Sequence, residues 1–154
     1  MKRDGINQWI EFLLGDSRCA VPILSAQEIL KTPDIARLPG MPPYLRGIIH
    51  LRGRILPVVD LAARFGGQAV PGTGRDRIIV AHVAGQKIGF LVQEVTKILR
   101  LEDDQIGDIP EHLSAGGTAI QAVGRTADGL VLLWNLERIL SMEELALLQK
   151  LPAK

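Results

Sequence analysis

The residues best suited to chemistry are scattered along the chain. His50, His82 and His112 lie in unrelated segments, and the first two are flanked by apolar residues in stretches that resemble strands. A protein metal site needs several side chains that converge on one ion. We therefore expect structural roles for His50 and His82, and the sequence predicts no metal site. A hydrolytic or metal-dependent site at His112 and its neighbour Glu111 stays open as an alternative.

Residues 102–117 form an acidic stretch broken by glycine and proline. The spacing of its carboxylates does not match an EF-hand calcium loop. We interpret the stretch as an exposed, solvated connection. Its acidic side chains include Asp103, Asp104, Asp108 and Glu111.

Nucleophiles and phosphate-binding loops give equally weak signals. The single cysteine, Cys19, shares one face of an apolar strand with Val21 and Ile23, where burial raises the pKa of a thiol and makes it unreactive. The glycines at 72–74 and 116–117 form neither a P-loop nor a dinucleotide fingerprint, and no G-x-S-x-G motif is present. The sequence predicts no catalytic residue and no cofactor, which favours a binding protein over an enzyme.

A positively charged hairpin is the clearest candidate for binding. Arg52 and Arg54 flank the turn residue Gly53 between apolar runs at 48–51 and 55–59. Arginines at such a position can simply solvate the end of a hairpin. Arginine is nevertheless the cation best suited to protein interfaces, because its planar, weakly hydrated guanidinium can bind a carboxylate through two hydrogen bonds.

Composition narrows the class of partner. The chain has 154 residues, is 47% hydrophobic and has a net charge of +1. These values exclude a wholly disordered chain and provide no strong field for nucleic acid or an acidic membrane. A small OB-type barrel that binds single-stranded nucleic acid is the alternative, but only six residues are Phe, Trp or Tyr, and such barrels need aromatic stacking platforms.

Membrane segments are not expected. No stretch approaches the roughly eighteen apolar residues of a spanning helix. The two basic residues near the N-terminus are not followed by an apolar region, so no signal peptide is expected. We therefore expect a cytoplasmic protein.

The elements that must position these side chains are mostly short strands. Hairpin turns are predicted at residues 15–17, 52–54, 84–86 and 128–129. About nine strands are predicted, in two groups before and after the glycine-rich residues 66–74. Regular spacing of this kind indicates antiparallel barrels or a sandwich. The strands are expected at 9–14, 18–24, 48–51, 55–59, 77–83, 87–95, 97–101, 119–126 and 130–134.

Prolines and capping patterns refine this prediction. Pro22 and Pro57 lack an N–H and favour a strand edge, end or bulge. The capping-box pattern Ser-x-x-Glu occurs at residues 25–28 and 141–144, and predicts two helices. Pro33 would stop the first helix within about two turns.

Three further helical turns are predicted. Asp60 and Asn135 are suited to be N-caps of short turns that follow them. Residues 43–46 can form one turn, with proline early and Gly47 at the end.

The hairpin that contains Arg52 resembles the central motif of the CheW family of chemotaxis coupling proteins, and the related regulatory domain of the chemotaxis kinase CheA. The motif here is YLRGIIHLRG at residues 44–53. Other segments resemble the family in the same order, from about Trp9 to Leu148. They include AVPI at 20–23, QEI at 27–29, LPVVDL at 56–61, RFG at 64–66, IIV at 78–80, GFLV at 89–92, VTKIL at 95–99 and NLERILSMEEL at 135–145.

The resemblance implies a mainly β fold of two packed, five-stranded SH3-like barrels with a groove between them and a short C-terminal helix. It implies one CheW-like domain over residues 8–150, and we expect a mobile loop at 67–75 and a flexible N-terminus at 1–7. It also implies no catalysis, metal or cofactor. Family members bind the cytoplasmic tip of methyl-accepting chemoreceptors and the regulatory domain of CheA. The implied protein is a cytoplasmic adaptor in membrane receptor arrays, without membrane insertion or nucleic-acid binding.

Carried over by motif, the receptor-binding candidates are Glu28, Gly47, Arg52, Leu91 and Val92, and no kinase-binding residue is assigned. Arg52 is expected to pair with a carboxylate of the receptor helix. The capping box is an alternative explanation of Glu28, and helix termination is an alternative explanation of Gly47. One of Leu91 and Val92 must point into a barrel core, because successive strand residues face opposite sides.

The chain departs from the family pattern at three positions. Gln93 stands where the family commonly has Asp, Ala122 stands where glycine is frequent, and Arg125 adds a charge after Gly124. These departures leave open which receptor or kinase is recognised.

Overall fold

The structure is a computed structural model that describes residues 7–65, 67–109 and 119–150. Within these ranges the chain forms eleven strands and two α-helices. The helices are α1 (Leu61–Arg64) and α2 (Met142–Gln149). The strands are β1 (Gln8–Leu14), β2 (Ser17–Pro22), β3 (Glu28–Lys31), β4 (Leu45–Leu51), β5 (Arg54–Asp60), β6 (Arg77–Val83), β7 (Gln86–Val92), β8 (Glu94–Arg100), β9 (Ile106–Asp108), β10 (Ile120–Thr126) and β11 (Gly129–Trp134).

The strands form two sheets. The six-stranded sheet has the order β8-β1-β2-β11-β10-β9, and the five-stranded sheet has the order β3-β6-β7-β5-β4. Neighbouring strands are antiparallel except for β2 with β11 and β5 with β7, which are parallel. The predicted mainly β fold with two packed strand systems is confirmed, with sheets of six and five strands.

The two groups of strands along the sequence do not correspond to the two sheets. Each sheet takes strands from both sides of the glycine-rich segment, since β1 pairs with β8 and β2 pairs with β11. In the five-stranded sheet, β3 pairs with β6 and β5 pairs with β7. The two halves of the fold are therefore interleaved in sequence.

The two capping boxes have different outcomes. Ser141 Oγ accepts a hydrogen bond from the Glu144 N–H, and Glu144 Oε1 accepts one from the Ser141 N–H, so α2 begins as predicted. The helix predicted from residues 25–28 is wrong, because Glu28 begins β3 and pairs with β6. Pro33 leaves too few residues to nucleate a helix, whereas the adjacent strand satisfies their backbone groups.

Two other local predictions also need correction. Leu45 begins β4, so the predicted helical turn at 43–46 is limited to a hydrogen-bonded turn at residues 43–44. Pro57 lies in β5, which has neighbours on both sides, but the ladder to β7 begins only at Val58. The proline therefore lies outside the doubly paired part of the strand, where its missing N–H is tolerated.

The two predicted helix N-caps, Asp60 and Asn135, both accept hydrogen bonds from backbone N–H groups. The Asp60 carboxylate accepts a hydrogen bond from the Ala63 N–H at 3.0 Å, and Asn135 Oδ1 accepts one from Glu137 N–H at 3.0 Å, so both N-caps are confirmed. The acidic connection contains β9, which pairs with β10, so it is more than an exposed loop. His112 and Glu111 lie outside the described residues.

Side chains from both sheets share one core. Phe12 and Cys19 of the six-stranded sheet, Val59 and Phe90 of the five-stranded sheet, and Leu148 of α2 belong to one buried apolar cluster. Burying a side chain of this size contributes about 1.5–3 kcal/mol. The shared core fixes the two sheets relative to each other and holds the C-terminal helix against them.

Two predictions concern the terminus and the loop. The flexible N-terminus lies outside the described residues except for Asn7, whose carbonyl accepts a hydrogen bond from the Leu101 N–H at 2.9 Å. The mobility of residues 67–75 stays a prediction.

In the part of the chain that the structure describes, no helix has the length and apolar character needed to cross a membrane.

Candidate functional site

Arg52 and Glu28 meet in a two-pronged ion pair. Arg52 lies in the turn between β4 and β5 with a φ of 50°, followed by Gly53 at 78°, a left-handed pair typical of tight hairpins. Its Nη1 donates to Glu28 Oε1, and its Nη2 donates to Glu28 Oε2 at 2.9 Å. Two of the predicted site residues are therefore brought together by the fold.

This ion pair is partly open to solvent. The Arg52 side chain is 69% exposed and the Glu28 side chain 26% exposed. The hydrogen bond from Arg52 lowers the pKa of Glu28 below its ordinary value, and the same bond raises the pKa of Arg52. Exposed ion pairs contribute little to stability because water and salt screen them. The guanidinium is thus positioned by Glu28 and still accessible to a partner.

Gly47 lies inside β4 and does not end a helix, so that alternative explanation is wrong. Its φ is 150°, and a Cβ at this position would lie 2.2 Å from the carbonyl oxygen of Ala36. Ala36 and Ile48 form an isolated antiparallel bridge at the same place. Gly47 therefore lets the segment after β3 close against β4.

Leu91 and Val92 are both buried, on opposite faces of β7. Leu91 packs in a cluster with Ile49 and Ile78, and Val92 packs in the core shared by both sheets. Their assignment as receptor contacts stays a prediction. Because both side chains are buried, they can support the residues of a binding surface but cannot contact a partner directly in this structure.

An apolar groove opens between the six-stranded sheet and the segment formed by α1 and residues 67–71. It has a volume of about 500 Å³, within the range of roughly 300–1,000 Å³ that is typical of binding pockets. The six-stranded sheet forms one wall, and α1 with residues 67–71 forms another. The larger apolar side chains that line it are Leu14, Leu61, Phe65, Val70, Ile120, Leu132 and Trp134.

Asp60 holds one wall of this groove in place. Its buried carboxylate accepts hydrogen bonds from the Ala63 N–H, the Val70 N–H at 2.9 Å and the Arg46 guanidinium at 2.8 Å. Arg46 also donates to the Val70 carbonyl at 3.1 Å. The sequence identified Asp60 only as a helix cap, because no local pattern links Arg46 or Val70 to it.

The groove and the ion pair occupy different ends of the same strand. Arg52 precedes β5, and Asp60 and Leu61 follow at its other end. A seven-residue strand is about 20 Å long. The fold thus provides two separate surfaces, one charged and one apolar.

The thiol of Cys19 is the potentially reactive group beside the groove. Burial raises the pKa of the Cys19 thiol to about 11, although the thiol lies beside the groove. Among the described residues, no three His, Cys, Asp or Glu side chains are grouped so that they could hold a metal ion.

Comparisons with known proteins agree with this architecture. Residues 8–144 match the model of the CheW-like domain. The chemotaxis protein CheW of Helicobacter pylori is 32% identical over 136 residues, which cover 88% of this chain and 82% of the relative. The probable chemotaxis protein CheW of Rhizobium etli is 40% identical over 107 residues, covering 70% and 69%.

A solved structure supports the fold. The crystal structure of the scaffolding protein TtCheW from Thermoanaerobacter tengcongensis has a TM-score of 0.82 and 24% identity, and the match covers 94% of this chain and 96% of that one. The fold is therefore that of this solved structure, and the relatives described above are chemotaxis proteins. The chain belongs to the CheW-like domain family.

Proposed function

We propose that this protein is a non-catalytic, cytoplasmic adaptor that couples methyl-accepting chemoreceptors to the histidine kinase CheA in a membrane-associated array. The observation that carries this proposal is the apolar groove between the six-stranded sheet and α1 of a CheW-like chain. The molecule has candidate receptor-binding surfaces at both ends of β5, and the kinase is proposed to bind elsewhere, at residues that we do not assign.

The groove is suited to the apolar face of a receptor helix. Helices that dock in grooves use apolar side chains spaced along one face. The walls at Phe65, Leu132 and Trp134 provide complementary apolar surface. Each Leu or Phe that a partner buries there would contribute about 1.5–3 kcal/mol before the entropy of binding is subtracted.

The Arg52 turn is proposed as the second receptor contact. A receptor carboxylate can use the exposed side of the guanidinium or replace Glu28, and either exchange is inexpensive because the existing pair is screened by solvent. A helix of about 13 residues would span the length of β5. One receptor helix lying along the strand could therefore reach both surfaces.

Weak contacts suffice for this role. Transient signalling interfaces often bury less than about 1,200 Å² in total. In an array, linked contacts act at high effective concentration, so assembly is strong although each contact is weak. Signal transfer then requires only that the contacts differ in free energy between the active and inactive states of the kinase.

The nucleic-acid alternative loses support from the placement of the aromatic residues. Trp9, Phe12 and Phe90 are fully buried in the described structure. Side chains in a core cannot form the stacking platforms that single-stranded nucleic acid needs. The adaptor proposal is therefore the one that we pursue.

The test is calorimetric titration of the chain with a receptor-tip fragment and, separately, with the regulatory domain of CheA. Both should bind. Arg52→Glu should weaken receptor binding by about 2–5 kcal/mol if the partner charge is buried, while binding to the kinase domain persists. Arg54→Glu is the matched control, because Arg54 in the same turn has no ion pair among the described residues. Absence of binding to both fragments would overturn the proposal.

A further inference from the structure

We propose that Gln93 sets the hydrogen-bonding specificity of the groove, by requiring that the docked segment present an acceptor oxygen. This inference rests on the proposed docking role of the groove. The acceptor that fits best is an unpaired backbone carbonyl at the end of a receptor helix.

The position of Gln93 is fixed by two hydrogen bonds to the β1–β2 hairpin. Its backbone N–H donates to the carbonyl of Leu13 at 3.1 Å. Its side-chain Oε1 accepts from the backbone N–H of Gly15 at 3.0 Å. A backbone N–H can only donate, so the oxygen of the side-chain amide must face Gly15. The amide nitrogen, Nε2, therefore occupies the other terminal position of the amide group, away from the Gly15 N–H.

The amide nitrogen is left with unused donors. Gln93 lines the groove with a half-buried side chain, and its Nε2 donates to no group within residues 7–65, 67–109 and 119–150. This nitrogen is also not among the described polar atoms that are buried without a partner. Gln93 thus offers N–H groups at the edge of an apolar groove.

Two other polar side chains that line the described part of the groove, Ser17 and Gln68, are adaptable. The Ser17 hydroxyl can donate or accept. Gln68 is exposed and can present either end of its amide. Gln93 differs because Gly15 fixes its orientation, so it presents donors and cannot present an acceptor without losing that hydrogen bond.

This fixed orientation defines the chemistry of the docked segment. Covering the amide donors without an acceptor would leave them unpaired and weaken binding. The last four carbonyls of a helix have no partner within the helix, so a helix end can supply both an acceptor and apolar side chains. An ammonium or guanidinium group has no acceptor and would be rejected at this point.

The decisive variant is Gln93→Glu, which is nearly isosteric. One carboxylate oxygen can still accept from Gly15, while the other replaces two donors by an acceptor. Calorimetry with the receptor-tip fragment should show affinity reduced roughly tenfold or more, with unchanged affinity for the CheA regulatory domain. Gln68→Glu adds the same charge at an exposed lining position and should have a much smaller effect.

Unchanged receptor affinity of Gln93→Glu, or an equal loss in Gln68→Glu, would overturn the inference. A second measurement uses the unmodified chain: the side-chain amide protons of Gln93 should shift downfield in NMR spectra when the receptor fragment binds. Absence of that shift in a complex that forms would also overturn it. Failure of the unmodified chain to bind the receptor fragment would instead overturn the docking role on which the inference rests.

Discussion

Arg52 and Glu28 join the two edges of the five-stranded sheet. Glu28 lies in β3 at one edge, and Arg52 follows β4 at the other, with three strands between them in the ladder order. Such a contact requires the sheet to curl, and the bridge between Ala36 and Ile48 closes the same side. The ion pair therefore fixes a charged group at the seam of a curled sheet.

The pKa of Glu28 should report this pair directly. Carbon-13 NMR titration of its carboxyl group should give a pKa below the ordinary value for a glutamate, because the hydrogen bond from Arg52 stabilises the charged form. A depressed folded-state pKa means that the stabilising contribution is present above about pH 4.5 and is lost as the pH falls through the folded-state pKa. In Arg52→Gln the pKa should rise to the ordinary value or above it. An unchanged titration curve in that variant would contradict the assigned cause.

Gly47→Ala should destabilise the fold. The new methyl group would clash with the Ala36 carbonyl oxygen, and alanine strongly disfavours a φ of 150°. We expect the free energy of unfolding in urea to fall by at least about 2 kcal/mol. Gly107→Ala is the matched control, because a Cβ there meets no atom within 4 Å. Equal stability of the two variants would show that the close approach at Gly47 is unimportant.

Asp60→Ala should loosen the wall of the groove. It removes the acceptor for the Val70 N–H and leaves Arg46 without its carboxylate. The expected loss of stability is about 2–4 kcal/mol, and hydrogen exchange at the Val70 amide should accelerate. Asp34→Ala serves as the control, because Asp34 is exposed and has no hydrogen bond or ion pair in the described chain. Unaltered protection at Val70 would argue against this role for Asp60.

Cys19 should resist thiol reagents in the folded protein. With a pKa of about 11, the thiolate fraction near pH 8 is about one in a thousand, and the side chain is buried. An aromatic disulfide reagent should therefore label it slowly in buffer and rapidly in urea. Rapid labelling in buffer would mean that the groove opens far enough to expose the thiol.

Local chemistry made the hairpins predictable, because a tight turn depends on a few neighbouring residues. The turns predicted at 52–54 and 128–129 both fall in observed hairpins, whose turn residues are 52–53 and 127–128. The same capping pattern occurs at 25–28 and 141–144, but only the second begins a helix. A local pattern is therefore not sufficient to predict the structure at 25–28. The pairing of Glu28 with β6 depends on residues fifty positions away, and no local pattern contains that information.

In the candidate site, too, the sequence predicted individual residues but not the contacts between distant segments. Motif resemblance identified Arg52 and Glu28 as separate residues, but their pairing depends on the curl of the sheet. The groove is assembled from segments across most of the chain, so spacing cannot reveal its lining. Gln93 stood out only as a departure from a family pattern, and its fixed amide became evident only beside Gly15.

The most direct test of the account is whether one molecule bridges both proposed partners. Sedimentation velocity should detect a complex of receptor-tip fragment, this chain and the CheA regulatory domain, larger than either pair. The account predicts that both partners bind together, because the molecule acts as a connector. If receptor and kinase fragments displace each other, or if neither binds, the adaptor function proposed for this protein is contradicted.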